Sequence, residues 1–331
     1  MTKPEHSRSG SRRRGGRSLL RQTRYISTAA MEEVLELGHP EIDVDHLLVG
    51  LLVTGGPSAS CLLSAGVDLP SLRRAVREVE DAEARVLGVR VAAPPAVPSA
   101  RALSRTGAVS FCDRALAIIR SAQQDEDDRA LLRALLDDDG RRAERILVQA
   151  GVDVVELRAR LAVPATVTIL DLPVEVVDAL GALGPAARRC SASMTHEVPV
   201  NADAVWALVS DPRRRPEWDA ACVEVSPDGD GVLRLQYANR WRTRTVKVLT
   251  ERTGPRSLLW RELWAGEDDV SATLHLAVTS VGAGSRLRVD VTTVLRTRRG
   301  RALRPVMQWA VASRVRWLGQ SVARAAARSD G

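Results

Sequence analysis

Leu47-Leu48-Val49-Gly50-Leu51-Leu52 is followed, 14 residues after its last leucine, by Gly66-Val67-Asp68-Leu69 and then Leu72-Arg73. Further on, Leu131-Leu132-Arg133-Ala134-Leu135-Leu136 is followed, 15 residues after its last leucine, by Gly151-Val152-Asp153-Val154 and then Leu157-Arg158. This internal repeat, at offsets of 84 and 85 residues, decides how the first half of the chain is read. Each unit reads as a helix with leucines at i, i+1, i+4 and i+5, a second helix closed by a glycine, and an Asp-capped amphipathic helix. Helices this short do not hold alone in water, so the two units are expected to pack as one all-helical domain. Val91 to Ser99, with Pro94, Pro95 and Pro98, reads as an extended connector between them.

Working outward, 331 residues with 45% hydrophobic and 27% charged side chains suit two or three folded domains. All seven tryptophans lie beyond residue 200, which marks a domain boundary upstream of them. The net charge of +7 suggests a nucleic-acid partner until it is divided along the chain. Residues 1–24 carry +7 by themselves, residues 25–162 carry −6 and residues 163–331 carry +6. The positive average therefore hides a basic tail, an acidic helical part and a basic C-terminal part. Residues 1–22 read as a disordered tail of Arg, Ser and Gly, residues 23–162 as the helical double repeat (repeats about 23–87 and 101–162), and residues 163–193 as linker. Within the linker, Pro173 to Leu183 has helical character.

Several function classes drop out. The only lysines, Lys3 and Lys247, do not follow glycine, so no phosphate-binding loop can be written and the chain is not expected to be an ATPase. Cys61, Cys112, Cys190 and Cys222 are too widely spaced for a zinc ribbon and read as apolar residues in a reducing cytoplasm. Neither a metal-ligand spacing nor a nucleophilic triad stands out, and no cofactor is expected. No stretch is long and apolar enough for a transmembrane helix.

From residue 194 the pattern is strand, helix, then a run of alternating segments and a last long helix. Seven strands are expected, at Thr195–Val200, Cys222–Val225, Val232–Trp241, Thr243–Glu251, Leu258–Trp264, Val270–Val281 and Arg286–Leu295. Short turns such as Gly282-Ala283-Gly284-Ser285 favour antiparallel pairing, and the helix from about Arg301 to Arg328 is the element left to cover one face.

Two resemblances sharpen this. Ala30-Met31-Glu32-Glu33, Leu37-Gly38-His39, Ile42, Asp45-His46-Leu47-Leu48-Val49-Gly50-Leu51-Leu52 and Gly66-Val67-Asp68 resemble the Clp N-terminal repeat domain, over roughly residues 20–162. That implies a docking platform for adaptors and substrates, here without a motor. His39 and His46 could be paired for metal or chemistry, although histidines beside helix starts are more often structural. Ala204-Val205-Trp206 and the turn from Asp211-Pro212 to Pro216-Glu217-Trp218 are similar to the START-like SRPBCC superfamily, including polyketide cyclases and dehydrases, over about residues 194–328. That resemblance implies a helix-grip fold, a curved antiparallel sheet around a C-terminal helix, with an apolar ligand cavity between them. The expected fold class is thus α+β and multidomain.

Alternation puts Leu233, Leu235, Tyr237, Asn239 and Trp241 on one inward face. On Leu258–Trp264 the face of Trp260, Glu262 and Trp264 competes with that of Leu259, Arg261 and Leu263, and the tryptophan face is favoured. Leu303, Met307, Ala310, Trp317, Leu318, Ser321 and Ala325 form one stripe of the last helix, with Arg314 inside it. A buried guanidinium must be paired, either with Glu262 or with an acidic group of a ligand, unless it reaches the cavity rim. Trp218, Tyr237, Asn239, Trp241, Trp260, Glu262, Trp264, Arg314 and Trp317 are therefore the ligand-binding candidates. His196 would favour chemistry if it entered the cavity, whereas His275, opposite Leu274 and Leu276, is expected to face out. The functional expectation is a protein-docking domain joined to a domain that binds a lipid-like or polyketide-like molecule, as in a ligand-responsive adaptor. The alternative is an aromatase-like cyclase or dehydrase with Glu262, Tyr237 and Arg314 as the polar groups. Nucleic acid is not the expected partner.

Overall fold

The computed structural model describes residues 25–88, 109–122, 128–163, 189–229, 232–238, 243–264, 270–297 and 302–329. The basic tail, the proline-rich connector, the Pro173–Leu183 segment, Asn239 and Trp241 lie outside the described residues. The chain divides into two compact units, Met1–Ala165 and Thr166–Gly331.

In the first unit, helix α1 (25–37) leads through strand β1 (Glu41–Ile42) to α2 (Val44–Thr54), α3 (Pro57–Ser64) and α4 (Leu69–Val86). Strand β2 (Ser110–Phe111) pairs in parallel with β1 and precedes α5 (Asp113–Ala122), α6 (Arg129–Leu136), α7 (Arg142–Gln149) and α8 (Val154–Ala162). The repeat is realised at the turn before the last helix of each unit. Gly66 and Gly151 both turn in the left-handed region, at φ 88° and 85°, where a side chain would be strained. Asp68 then caps α4 by accepting from the Ser71 N–H, and Asp153 caps α8 by accepting from Val155 and Glu156.

The leucine-rich α2 is buried along its whole length, which explains a sequence with no polar face. Its start is fixed by Asp43 and by His46, whose Nδ1 accepts from the Asp43 N–H at 3.1 Å. His39 Nδ1 lies 2.9 Å from His46 Nε2, so the second imidazole braces the one at the helix start. Arg142 of α7 reaches Asp45 of α2 at 2.9 Å and joins the two repeats. Burial opposes ionisation of Asp45, but His46 and Arg142 outweigh it and hold the carboxyl far below the usual range.

The second unit is one seven-stranded sheet in the order β3-β9-β8-β7-β6-β5-β4, every neighbouring pair antiparallel. Its strands are β3 (Arg189–Val198), β4 (Cys222–Pro227), β5 (Val232–Ala238), β6 (Thr243–Gly254), β7 (Ser257–Trp264), β8 (Ala272–Val281) and β9 (Gly284–Val294). Between β3 and β4 lie α9 (Ala202–Ser210), a 3-10 turn (Pro212–Arg214) and the single-turn α10 (Arg215–Trp218). Helix α11 (Arg304–Ser329) closes the unit. The core contains Leu235, Leu274, Leu276, Leu287, Val289 and Val291 from the sheet and Val315, Leu318 and Val322 from α11.

Two expectations need correcting here. Strand β3 begins at Arg189, so residues 189–193 are strand rather than linker; Cys190 and Ala192 point inward but carry too little hydrophobic bulk to announce a strand. The inward stripe of α11 centres on Val311, Val315, Leu318 and Val322, while Leu303 and Ala310 are exposed, a rotation of nearly one residue from the expected stripe. Among the described residues, no single helix is long and apolar enough to cross a membrane.

Candidate functional site

The 3-10 turn starts where Asp211 accepts from the Arg213 N–H at 2.9 Å and Pro212 supplies a fixed φ. One helical turn later, Arg215 and Asp219 stand four residues apart on the same side, and both are buried. Arg215 Nε donates to Asp219 at 3.0 Å and its Nη2 donates to the Tyr237 hydroxyl at 3.2 Å. Glu262, on the inner face of β7, lies 3.8 Å from the same Nη2. From the other side Arg314 of α11 grips Glu262 with both terminal nitrogens, at 2.8 and 3.4 Å. Two guanidinium groups thus face two carboxylates in an otherwise apolar interior.

Tryptophans enclose this cluster. The Arg215 guanidinium carbon sits 4.3 Å from the Trp218 ring centroid and 4.6 Å from that of Trp260, and the two rings meet edge to face at 6.2 Å. Burial alone would favour loss of the Arg215 proton, but Tyr237, Asp219 and Glu262 reverse the balance and raise its pKa. Burial raises Tyr237 further than Arg215 lowers it, so the phenol stays protonated. Burial likewise pushes the Cys222 thiol up to about 11, which keeps it unreactive. Arg215 Nη1, Trp218 Nε1 and Trp260 Nε1 are buried donors with no hydrogen-bond partner among the described residues.

Of the candidates named from sequence, Trp218, Tyr237, Trp260, Glu262 and Arg314 meet here, while Trp264 and Trp317 pack half-buried against the same core. Asn239 and Trp241 lie outside the described residues. Arg215 and Asp219 were not anticipated. Arg215 ends the run Arg213-Arg214-Arg215, and its four-residue spacing to Asp219 was the available signal.

Two histidines of the second unit are buried. His196 is buried against Gly319 of α11, its Nε2 without a partner among the described residues; burial, with Arg316 nearby, pushes its pKa down to about 4. His275 does lie opposite Leu274 and Leu276, yet it is only 1% exposed. Its Nε2 is 2.8 Å from Ser257 Oγ and its Nδ1 is 2.9 Å from Asp290. A hydrogen-bonded Ser, His and Asp set therefore exists where the sequence showed none. Among the described residues, no group of three His, Cys, Asp or Glu side chains could hold a metal.

A seven-stranded antiparallel sheet with a long C-terminal helix against it defines the START-like, helix-grip class. Residues 189–328 match the family described as polyketide cyclase / dehydrase and lipid transport, and residues 22–110 match the Clp repeat (R) N-terminal domain. The chain carries these two domain types in tandem; most of its second helical repeat, from residue 111 on, lies beyond the matched residues. No curated protein matches the sequence. Among solved structures, the chain is similar to the Zhui aromatase/cyclase of Streptomyces sp. R1128, with 18% identity, 40% of this chain and 93% of that one covered, and a TM-score of 0.32. It is also similar to a START superfamily protein of Mycobacterium smegmatis, with 16% identity, 38% and 96% covered, and a TM-score of 0.28.

Proposed function

We propose that the START-like domain binds a hydrophobic small molecule carrying an oxygen acceptor such as a carboxylate or phenolate. The Clp-type domain docks a protein partner, so the chain acts as a non-ATPase, ligand-responsive adaptor linked to Clp proteolysis in the cytoplasm. One observation carries the ligand half: Arg215 Nη1 and the indole N–H groups of Trp218 and Trp260 are buried, with no hydrogen-bond partner among the described residues, beside two neutralising ion pairs. A buried donor without a partner costs about 1–3 kcal/mol, which an acceptor on a ligand would recover.

Native mass spectrometry of the purified full chain is expected to show a bound hydrophobic molecule that denaturing conditions release. A ligand-free chain whose tryptophan fluorescence also ignores decanoate and 8-anilinonaphthalene-1-sulfonate would sink this reading. For the docking half, the immobilised chain is expected to retain a Clp unfoldase or its substrates, and retention of neither would refute it. The cyclase alternative, as placed on Glu262, Tyr237 and Arg314, needs a free base within that cluster. Asp219 and Glu262 are each held by an arginine and Tyr237 is held protonated, which supports binding over catalysis there.

A further inference from the structure

We propose that Ser257, His275 and Asp290 form a second, separate site in which a serine nucleophile, its general base and an orienting carboxylate transfer an acyl group from a small ester to water. Strand register builds it. His275 of β8 stands opposite Asp290 of β9 on one side and Leu259 of β7 on the other, and Ser257 precedes Leu259 by two residues on the same face. This is the face opposite Leu274 and Leu276, so the site shares no residue with the Arg215 cluster and does not depend on the ligand-binding reading.

The hydrogen bonds run in one direction. Burial opposes ionisation of Asp290, but hydrogen bonds from His275, Ser193 and Arg288 outweigh it and lower its pKa. An ionised Asp290 accepts from His275, which places the imidazole proton on Nδ1 at 2.9 Å and leaves Nε2 as an acceptor. The Ser257 hydroxyl must then donate to Nε2 at 2.8 Å, and Ser257 Oγ in turn accepts from the Thr253 hydroxyl at 2.7 Å. His275 and Asp290 are buried, whereas Ser257 is half-buried beside the exposed Pro255 turn, which leaves the nucleophile the most accessible of the three. A serine whose proton is held by an oriented imidazole is the arrangement that nucleophilic catalysis requires.

The chemistry balances without a further reactant. Ser257 Oγ bonds to the ester carbonyl carbon as its proton passes to His275 Nε2. That proton leaves with the alkoxide as the ester C–O bond breaks, giving an alcohol and an acyl-serine. Water then gives a proton to His275 and its oxygen attacks the acyl carbon; the proton returns to Ser257 as the carboxylic acid leaves.

The test treats the full chain with a fluorophosphonate probe, followed by intact and peptide mass spectrometry, and with 4-nitrophenyl acetate. One probe per chain on Ser257 is expected, with none on the Ser257→Ala variant. The labelling rate should fall about 10²-fold or more in His275→Ala, with a fall also in Asp290→Asn, which keeps the side-chain size. The proposal is overturned if Ser257 of the folded wild-type chain stays unmodified after prolonged exposure, a result that needs no variant to fold. Equal labelling of wild type and folded His275→Ala would also overturn it.

Discussion

Arg215 shows how much one side chain can commit a domain to. It is fully buried, and removing it leaves Asp219 as an uncompensated charge beside two tryptophans. Arg215→Met is expected to destabilise the START-like domain by about 3–5 kcal/mol, and the double variant Arg215→Met/Asp219→Leu should recover most of the loss. Urea denaturation followed by tryptophan fluorescence checks this cleanly, because every tryptophan lies in that domain. His196 sets a pH limit. Its folded pKa near 4 lies below the unfolded value near 6.5, so the unfolded chain binds the proton more tightly. Stability should be constant above about pH 6.5 and fall by on the order of 3 kcal/mol towards pH 4. The same titration on His196→Leu should show a shallower fall over that range. At this scale the sequence was partly legible. Arg314 stood out because a charge lay within an apolar stripe, which forced the question of its partner. Arg215 sat among other arginines in a turn, where periodicity has no repeat to read.

Helices and strands were more legible than side chains, because period two and period 3.6 are written over many residues at once. The equivalence of Gly66-Val67-Asp68 and Gly151-Val152-Asp153 survives in the structure as matching turns and caps. Removing either cap, by Asp68→Ala or Asp153→Ala, should cost about 1 kcal/mol each, measured as a shift in the helical domain's melting by circular dichroism. The face of α11 was harder to assign: its first turns carry exposed Leu303, Val306 and Trp309, which pull a hydrophobic average away from the side that is buried. Its seating on β3 depends on Gly319. A Cβ there would lie 1.8 Å from His196 Cδ2, so Gly319→Ala should lower stability by about 1–3 kcal/mol. Adding His196→Ala should relieve much of that, a non-additivity that a double-mutant cycle of thermal melts reads directly.

On the scale of the whole chain, a ligand-responsive adaptor makes a reciprocal demand. If ligand in one domain changes partner affinity at the other by about 5–150-fold, the partner must change ligand affinity by the same factor. Titration calorimetry in both orders is expected to give equal factors, and a factor of one would leave two independent modules. The domain types were legible because each repeats or alternates over tens of residues. The Ser257, His275 and Asp290 set was not, since 18 and 15 residues separate its members and strand register alone brings them together. The sheet order has a temporal consequence too. Within the seven-stranded sheet β3 is first in sequence, yet its partner β9 follows the other five; Ser191 meets Thr292, 101 residues later. On a ribosome adding about 5–20 residues per second, β3 emerges roughly 5–20 seconds before the strand that completes it. Through that interval its backbone amides offer an open edge to any neighbouring nascent chain, so chaperone capture during synthesis should centre on residues 189–198.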